Sequence, residues 1–152
     1  MFKKILFIII FINLASCGFV PINDLNNNKN IKIQSIKIVG GDRIINMAIQ
    51  RNLKKYQQNN SDNSFNITIS TNYEKRAILK NTTGAATKYQ LKVTANFVIY
   101  LNDKKDSVSY VETFNIDHSS DDFETRSYEN TVKENFANSI SEKLIFKLLS
   151  KL

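Results

Sequence analysis

The sequence predicts a two-layer α/β sandwich in which two helices pack on one face of a four-stranded mixed sheet, with elements in the order β-α-β-β-β-α. Three observations predict it. Apolar and polar residues alternate along much of the stretch from Phe65 to Ile116, as in strands with one buried face and one wet face. Two other segments, residues 43–58 and the chain after Ser127, repeat apolar residues at helical spacing instead. A sheet with one apolar face needs cover on that face only, and two amphipathic helices supply it.

Residues 31–39 are a β-branched run and read as the first strand. Its apolar phase shifts between Ile33 and Ile36, the mark of a bulge or a late start. Gly40-Gly41 ends it, and Asp42 is placed to cap a helix over residues 43–58 that carries Ile45, Ala48, Ile49, Leu53 and Tyr56 on one face. After a polar turn at 59–63, Phe65, Ile67, Ile69, Thr71 and Tyr73 alternate with Asn66, Thr68, Ser70 and Asn72. The strand–helix–strand order makes the first two strands parallel if they share the sheet. A polar loop at 81–86 leads to the clearest strand, with Tyr89, Leu91, Val93, Ala95, Phe97, Ile99 and Leu101 on one face. A hairpin turn at 102–106 returns the chain through Val108, Tyr110, Phe114 and Ile116, and Glu112 interrupts that apolar row as at a bulge. Ser127 is the expected cap of the closing helix, and Glu129 suits its positive end. Its stripe is Tyr128, Val132, Phe136, Ile140, Leu144, Leu148 and Leu152, broadened by Ala137, Ile145 and Leu149, and is expected to bury against the domain's own sheet.

The first sixteen residues have the layout of an export signal: Lys3-Lys4, an apolar run from Ile5 to Ile12, then small residues. That run is far short of the roughly 20 residues that span a bilayer. It ends in Leu14-Ala15-Ser16-Cys17, a lipobox, so the expectation is cleavage before Cys17 and a diacylglycerol with an N-acyl chain on that cysteine. The chain then divides into a signal peptide (1–16), a lipidated tether (17–30) containing Pro21, and the domain (31–152). Cys17 is the sole cysteine, so its acylation leaves no thiol for a disulfide, a metal or nucleophilic catalysis. Gly18 rather than an aspartate follows it, which points to the outer membrane, periplasmic face. Loss of Lys3 and Lys4 takes the formal charge from +7 to +5. A basic domain suits an anionic partner, and an exported one is not expected to meet nucleic acid.

Catalytic chemistry is thinly represented. The single histidine, His118, stands in Asp117-His118-Ser119-Ser120-Asp121-Asp122. A histidine beside serine and aspartate invites a hydrolase reading, but all lie in one acidic segment with no second element to build an oxyanion site. The same residues lack metal-ligand spacing, and Gly40-Gly41 lacks a phosphate-loop context. The expectation is a protein that is not an enzyme and holds no cofactor or metal. Binding has more behind it. Lys75, Arg76, Lys80 and Lys88 bracket the central loop and Arg126 precedes the closing helix. Lysine and arginine there suit phosphorylated sugars, although a solvated basic surface has the same composition.

Several of these pieces together resemble the LPS-assembly lipoprotein family, LptE. They are Cys17-Gly18-Phe19-Val20-Pro21, similar to the family's Cys-Gly-aromatic opening, then Ala86-Thr87-Lys88-Tyr89-Gln90-Leu91-Lys92-Val93, which looks like its central strand, and Ser127-Tyr128-Glu129-Asn130 with the closing helix through Glu142-Lys143-Leu144-Ile145. The resemblance implies the two-layer sandwich already read from the residues. It also implies a role as a plug in the outer-membrane barrel LptD, helping the barrel assemble and helping lipopolysaccharide (LPS) reach the cell surface. LPS contact then falls to Lys80 and Arg126, with Lys88 beside them. The partners expected are LptD, LPS and outer-membrane lipid. Another class stays open: a small periplasmic lipoprotein scaffold, such as a cell-wall synthase activator or a secretin pilotin.

Overall fold

The structure, a computed structural model, describes residues 31–101, 104–119 and 121–152; the signal segment, Cys17 and the tether lie outside the described residues. The elements are β1 (Lys32–Gly40), α1 (Arg43–Lys54), β2 (Ser64–Lys80), β3 (Ala86–Leu101), β4 (Lys104–Asp117) and α2 (Asp122–Leu149). They form one four-stranded sheet in the order β1-β2-β3-β4. β1 runs parallel to β2 and the other neighbours are antiparallel. This is the predicted mixed sheet with two helices on one face.

Burial follows the alternation. Phe65, Ile67, Ile69, Leu91, Val93, Ala95, Phe97, Ile99 and Ile116 turn toward the helices and are buried. α1 meets them with Ile45, Ile49 and Leu53, and α2 with Val132, Phe136, Ile140, Leu144 and Leu148. The stripe on the last helix is therefore core, as expected, over its central turns. At its ends the expectation fails: Tyr128 is 50% exposed and Leu152 is 53% exposed. Tyr128 lies over the less covered far end of the sheet and meets Phe114 of β4 edge to face, with ring centroids 6.5 Å apart.

Other boundaries shift for identifiable reasons. α2 begins at Asp122, capped by Asp121 rather than Ser127, because the Asp121 carboxylate accepts from the Phe123 and Glu124 amides at 2.8 and 3.1 Å. α1 ends at Lys54 instead of 58. The chain turns back there, so that the Tyr56 carbonyl accepts from Ile33 N (3.2 Å) and Asn59 Nδ2 donates to Ile31 O (2.8 Å). β2 continues past Tyr73 to Lys80, paired with β3 but with register shifts between Ala77 and Lys80. Its far end projects beyond most of the core, so burial no longer imposes alternation. The β1 bulge is present, between Ile33 and Ser35. No bulge occurs at Glu112, where β3 and β4 stay in register from Lys88–Asp117 to Leu101–Lys104. Glu112 stays on the inner row and takes hydrogen bonds from Ser139 Oγ (2.9 Å) and Lys143 on α2. The last hairpin is tighter than expected, since Lys104 already pairs with Leu101.

The β1–α1 junction is held against β2 by a buried polar cluster. Thr71 Oγ1 accepts from Asp42 N (3.2 Å) and donates to Asn46 Oδ1 (3.0 Å), while Asn46 Nδ2 donates to Gly40 O (3.0 Å). Gly41 has φ +108°, and a Cβ there would lie 2.0 Å from the Thr71 carbonyl oxygen. Gly41→Ala is accordingly expected to lower stability by at least about 2 kcal/mol, measured as a lower urea midpoint with unchanged slope.

Candidate functional site

The β2–β3 hairpin and the first turns of α2 meet at the end of the sheet remote from Ile31. Asn81 organises the hairpin loop: its Oδ1 accepts from Thr83 N (3.0 Å), Thr83 Oγ1 (2.7 Å) and Ala85 N (2.9 Å), an Asx-type closure that asparagine side chains favour. Gly84, at φ +85°, completes the turn and donates to Asn81 O at 3.0 Å. Lys80 is exposed at the base of this loop, its backbone paired with Ala86.

Below the loop, Lys75 continues the inward parity of Phe65 through Tyr73, and so points to the helix side of the sheet. Its Nζ lies 2.8 Å from Glu129 Oε2 and 4.7 Å from the centre of the Tyr89 ring. Glu129 also accepts from the Tyr73 hydroxyl at 2.7 Å. Behind them sits Lys133, 2.9 Å from Asp42 Oδ2, 3.6 Å from Glu129 Oε1 and 4.1 Å from the Tyr73 ring centre. Burial alone would raise the Glu129 carboxyl. The hydrogen bonds from Lys75 and Tyr73 and the charges of Lys75 and Lys133 outweigh it, and the group titrates below the usual glutamate range. Burial, and then the bond to Glu129, push the Tyr73 hydroxyl up, so it stays a donor. Two acids and two lysines thus form a compensated network that fixes Lys75 and leaves its outer side at the surface.

That surface is an open cleft of about 300 Å³ lined by Lys75, Tyr89, His118, Thr125 and Arg126. Tyr89 and His118 meet edge to face with centroids 5.9 Å apart, and His118 N donates to Thr87 O at 2.9 Å. Thr125 also borders a larger cleft of about 590 Å³, between the end of β4 and α2, which includes Ile116, Phe123 and Tyr128. Phe123 is 76% exposed. Lys75 over the Tyr89 ring, with Arg126 in the same cleft and an aromatic trough beside it, forms a surface for an anionic, partly apolar ligand.

The basic residues singled out from sequence do not all converge. Lys75 and Arg126 share the cleft. Lys88 points to the opposite, outer face of the sheet and pairs with Asp117 at 3.2 Å. Arg76 is also on that face, with Nη2 3.3 Å from Gln90 Oε1. Lys80 stands at the loop above. His118 forms a wall of the cleft, while the Ser119 hydroxyl donates to Glu124 at 2.9 Å and accepts from Asp121 N at 3.2 Å. Among the described residues, no three histidine, cysteine, aspartate or glutamate side chains are grouped to hold a metal, and no helix is long and apolar enough to cross a membrane. Reading the sequence missed Lys133. Its one local signal is Glu129, four residues earlier; its contact with Asp42 arises only from packing of α1 against α2.

No family model and no curated protein matches the chain. Solved structures do. Rare lipoprotein B from Shewanella oneidensis aligns with a TM-score of 0.57 at 12% identity, over 77% of this chain and 95% of its own. A minor lipoprotein from Acinetobacter baumannii aligns at 0.52 and 16%, over 79% and 92%. A structure from Caulobacter crescentus aligns at 0.58 and 12%, over 81% and 90%. At these identities the likeness is one of fold: the chain shares the β-α-β-β-β-α sandwich found in bacterial lipoproteins.

Proposed function

We propose that the protein is an outer-membrane lipoprotein of the LptE type, acylated at Cys17, that assists assembly of the LPS-translocating barrel LptD, occupies its lumen and aids passage of LPS. It acts as a binding and assembly component without catalysis or cofactor. The observation that carries this reading is the cleft that unites Lys75 and Arg126 with Tyr89 and His118, at the far end of a fold shared with solved lipoproteins. The lipobox and the motifs resembling the family support it from sequence.

The chemistry is that of phosphorylated glycolipid recognition. Phosphate oxygens accept charge-assisted hydrogen bonds from lysine and arginine, and an aromatic trough beside the cations suits acyl or sugar surfaces. Glu129 positions the Lys75 ammonium for this role. The wide outer face, with Thr68, Ser70, Thr94 and Asn96, suits the polar interior of a barrel. Purified protein is expected to bind LPS at least tenfold more tightly than enzymatically dephosphorylated LPS, as one lost charge-assisted bond already accounts for about that factor. Equal affinity for the two would remove phosphate recognition from the account.

A further inference from the structure

The opposite end of the domain has no part in that cleft, yet its composition is distinctive. It is where the described chain begins. Lys32 pairs with Ser64 at the start of β2, Phe65 with Leu101 at the end of β3, and Leu101 with Lys104 at the start of β4. Both helices exit there too. Tyr56, just past α1, bonds to Ile33 in β1, and Lys151, just past α2, forms an ion pair with Asp106 in β4. These pairings bring Lys54, Lys55, Lys104, Lys105, Lys147 and Lys151 to one end, and the first five are exposed. The carboxylates there, among the described residues, are Asp62, Asp106 and Glu142, and Lys151 already occupies Asp106. Phe146, 55% exposed in the last turns of α2, stands next to Lys147.

We propose that, before the domain enters a barrel, this end is a membrane-docking surface that rests on anionic phospholipid headgroups of the leaflet in which the chain is anchored. A cluster of exposed lysines with an exposed aromatic residue is the composition that binds such a surface, through headgroup phosphates and shallow insertion of the ring. The position of chain entry selects membrane as the occupant. Residues 17–30, even fully extended, can separate Ile31 from a lipid on Cys17 by no more than about 50 Å. The far end of β2, sixteen residues beyond Ser64, adds about another 50 Å. The lysine end is therefore held within about 50 Å of the bilayer, whereas the far end is free to stand up to about 100 Å from it. Its attraction to phosphate stands the domain upright and directs the Lys75–Arg126 cleft away from the leaflet. The orientation rests on acylation of Cys17; the surface itself does not.

The test uses the processed chain from residue 17 with Cys17→Ser, so that no acyl group contributes, in sedimentation with phosphatidylcholine vesicles with or without phosphatidylglycerol. Binding is expected only with phosphatidylglycerol, and it should disappear in high salt. Each lysine removed near an anionic surface changes partitioning about fivefold, so Lys104→Gln/Lys105→Gln/Lys147→Gln should weaken it about a hundredfold. The hairpin-end triple Arg76→Gln/Lys80→Gln/Lys88→Gln should leave it within about threefold on the same reasoning. Both variants are altered at exposed positions, and thermal melts check that they remain folded. Equal binding to neutral vesicles, no loss in the first triple, or equal loss in both overturns the proposal. The mass of the native protein reports acylation of Cys17 separately, so failure of the lipoprotein reading is distinguishable from failure of the docking surface.

Discussion

Lys133→Ala is expected to destabilise the fold by about 3–5 kcal/mol, the range found when one partner is removed from a buried ion pair. The Lys133 side chain is 11% exposed, and those of Asp42 and Glu129 are each 15% exposed. Without the ammonium, two carboxylates remain in a poorly hydrated space beside Tyr73. Asp42 cannot easily move to water, since its Oδ1 caps α1 by accepting from Ile44 N at 2.9 Å and Ile45 N at 3.1 Å. Lys133 also joins α2 to the β1–α1 junction, so the loss extends to helix packing. Lys88→Ala, which removes an exposed pair with Asp117, should cost less than about 1 kcal/mol. Urea unfolding of the two variants beside the parent measures the contrast. Similar small losses in both would show that the network contributes little.

Lys75→Gln with Arg126→Gln is expected to weaken LPS binding at least thirtyfold. A hydrogen bond to a charged group contributes about 1.5–3 kcal/mol, and two cations share this cleft. Lys80→Gln with Lys88→Gln should have the smaller effect, a few-fold at most. Lys88 faces the other side of the sheet and is already engaged by Asp117, and Lys80 stands at the loop outside the cleft lining. Surface-capture affinities of the two double variants decide the ranking, with melting curves to show that each is folded. A larger loss from Lys80 and Lys88 would move the binding surface from the cleft to the loop and outer face.

The parts of this molecule that were legible in the sequence are those where burial writes a period. Leu91, Val93, Ala95, Phe97 and Ile99 alternate because β3 lies in the centre of the sheet with one face under the helices. Val132, Phe136, Ile140, Leu144 and Leu148 repeat because α2 covers them. Where the core ends, the signal ends. Ser127 and Asp121 are equally good caps by type, and the first turns of α2, which lie against the far end of the sheet without a buried apolar stripe, leave no periodic signal to decide between them. Tyr128 keeps the helical spacing yet is half exposed, because its neighbour Phe114 at the end of β4 is itself 44% exposed. Glu112 looked like a defect in β4 because its partners Ser139 and Lys143 come from a helix 27 and 31 residues away.

The candidate site was legible only in part for the same reason. Arg126 and Lys75 were visible as basic residues near a loop, but their charge alone does not distinguish them from Lys80 or Lys88. Strand parity does: Lys75 falls on the row of Phe65 and Ile67, whereas Lys88 falls opposite the row of Leu91 and Val93. The Lys133–Asp42 contact spans 91 positions and exists only because α1 and α2 are neighbours.

The central claim is that the chain serves as the lipoprotein partner of an LPS-translocating barrel, and its most direct measurement is affinity purification of the tagged protein from detergent-solubilised envelopes of its own cells. The account predicts recovery of one large barrel protein, LptD, in stoichiometric amount, with its assembly reduced when the lipoprotein is depleted. Recovery without any large barrel, or with a cell-wall synthase or a secretin instead, would contradict it.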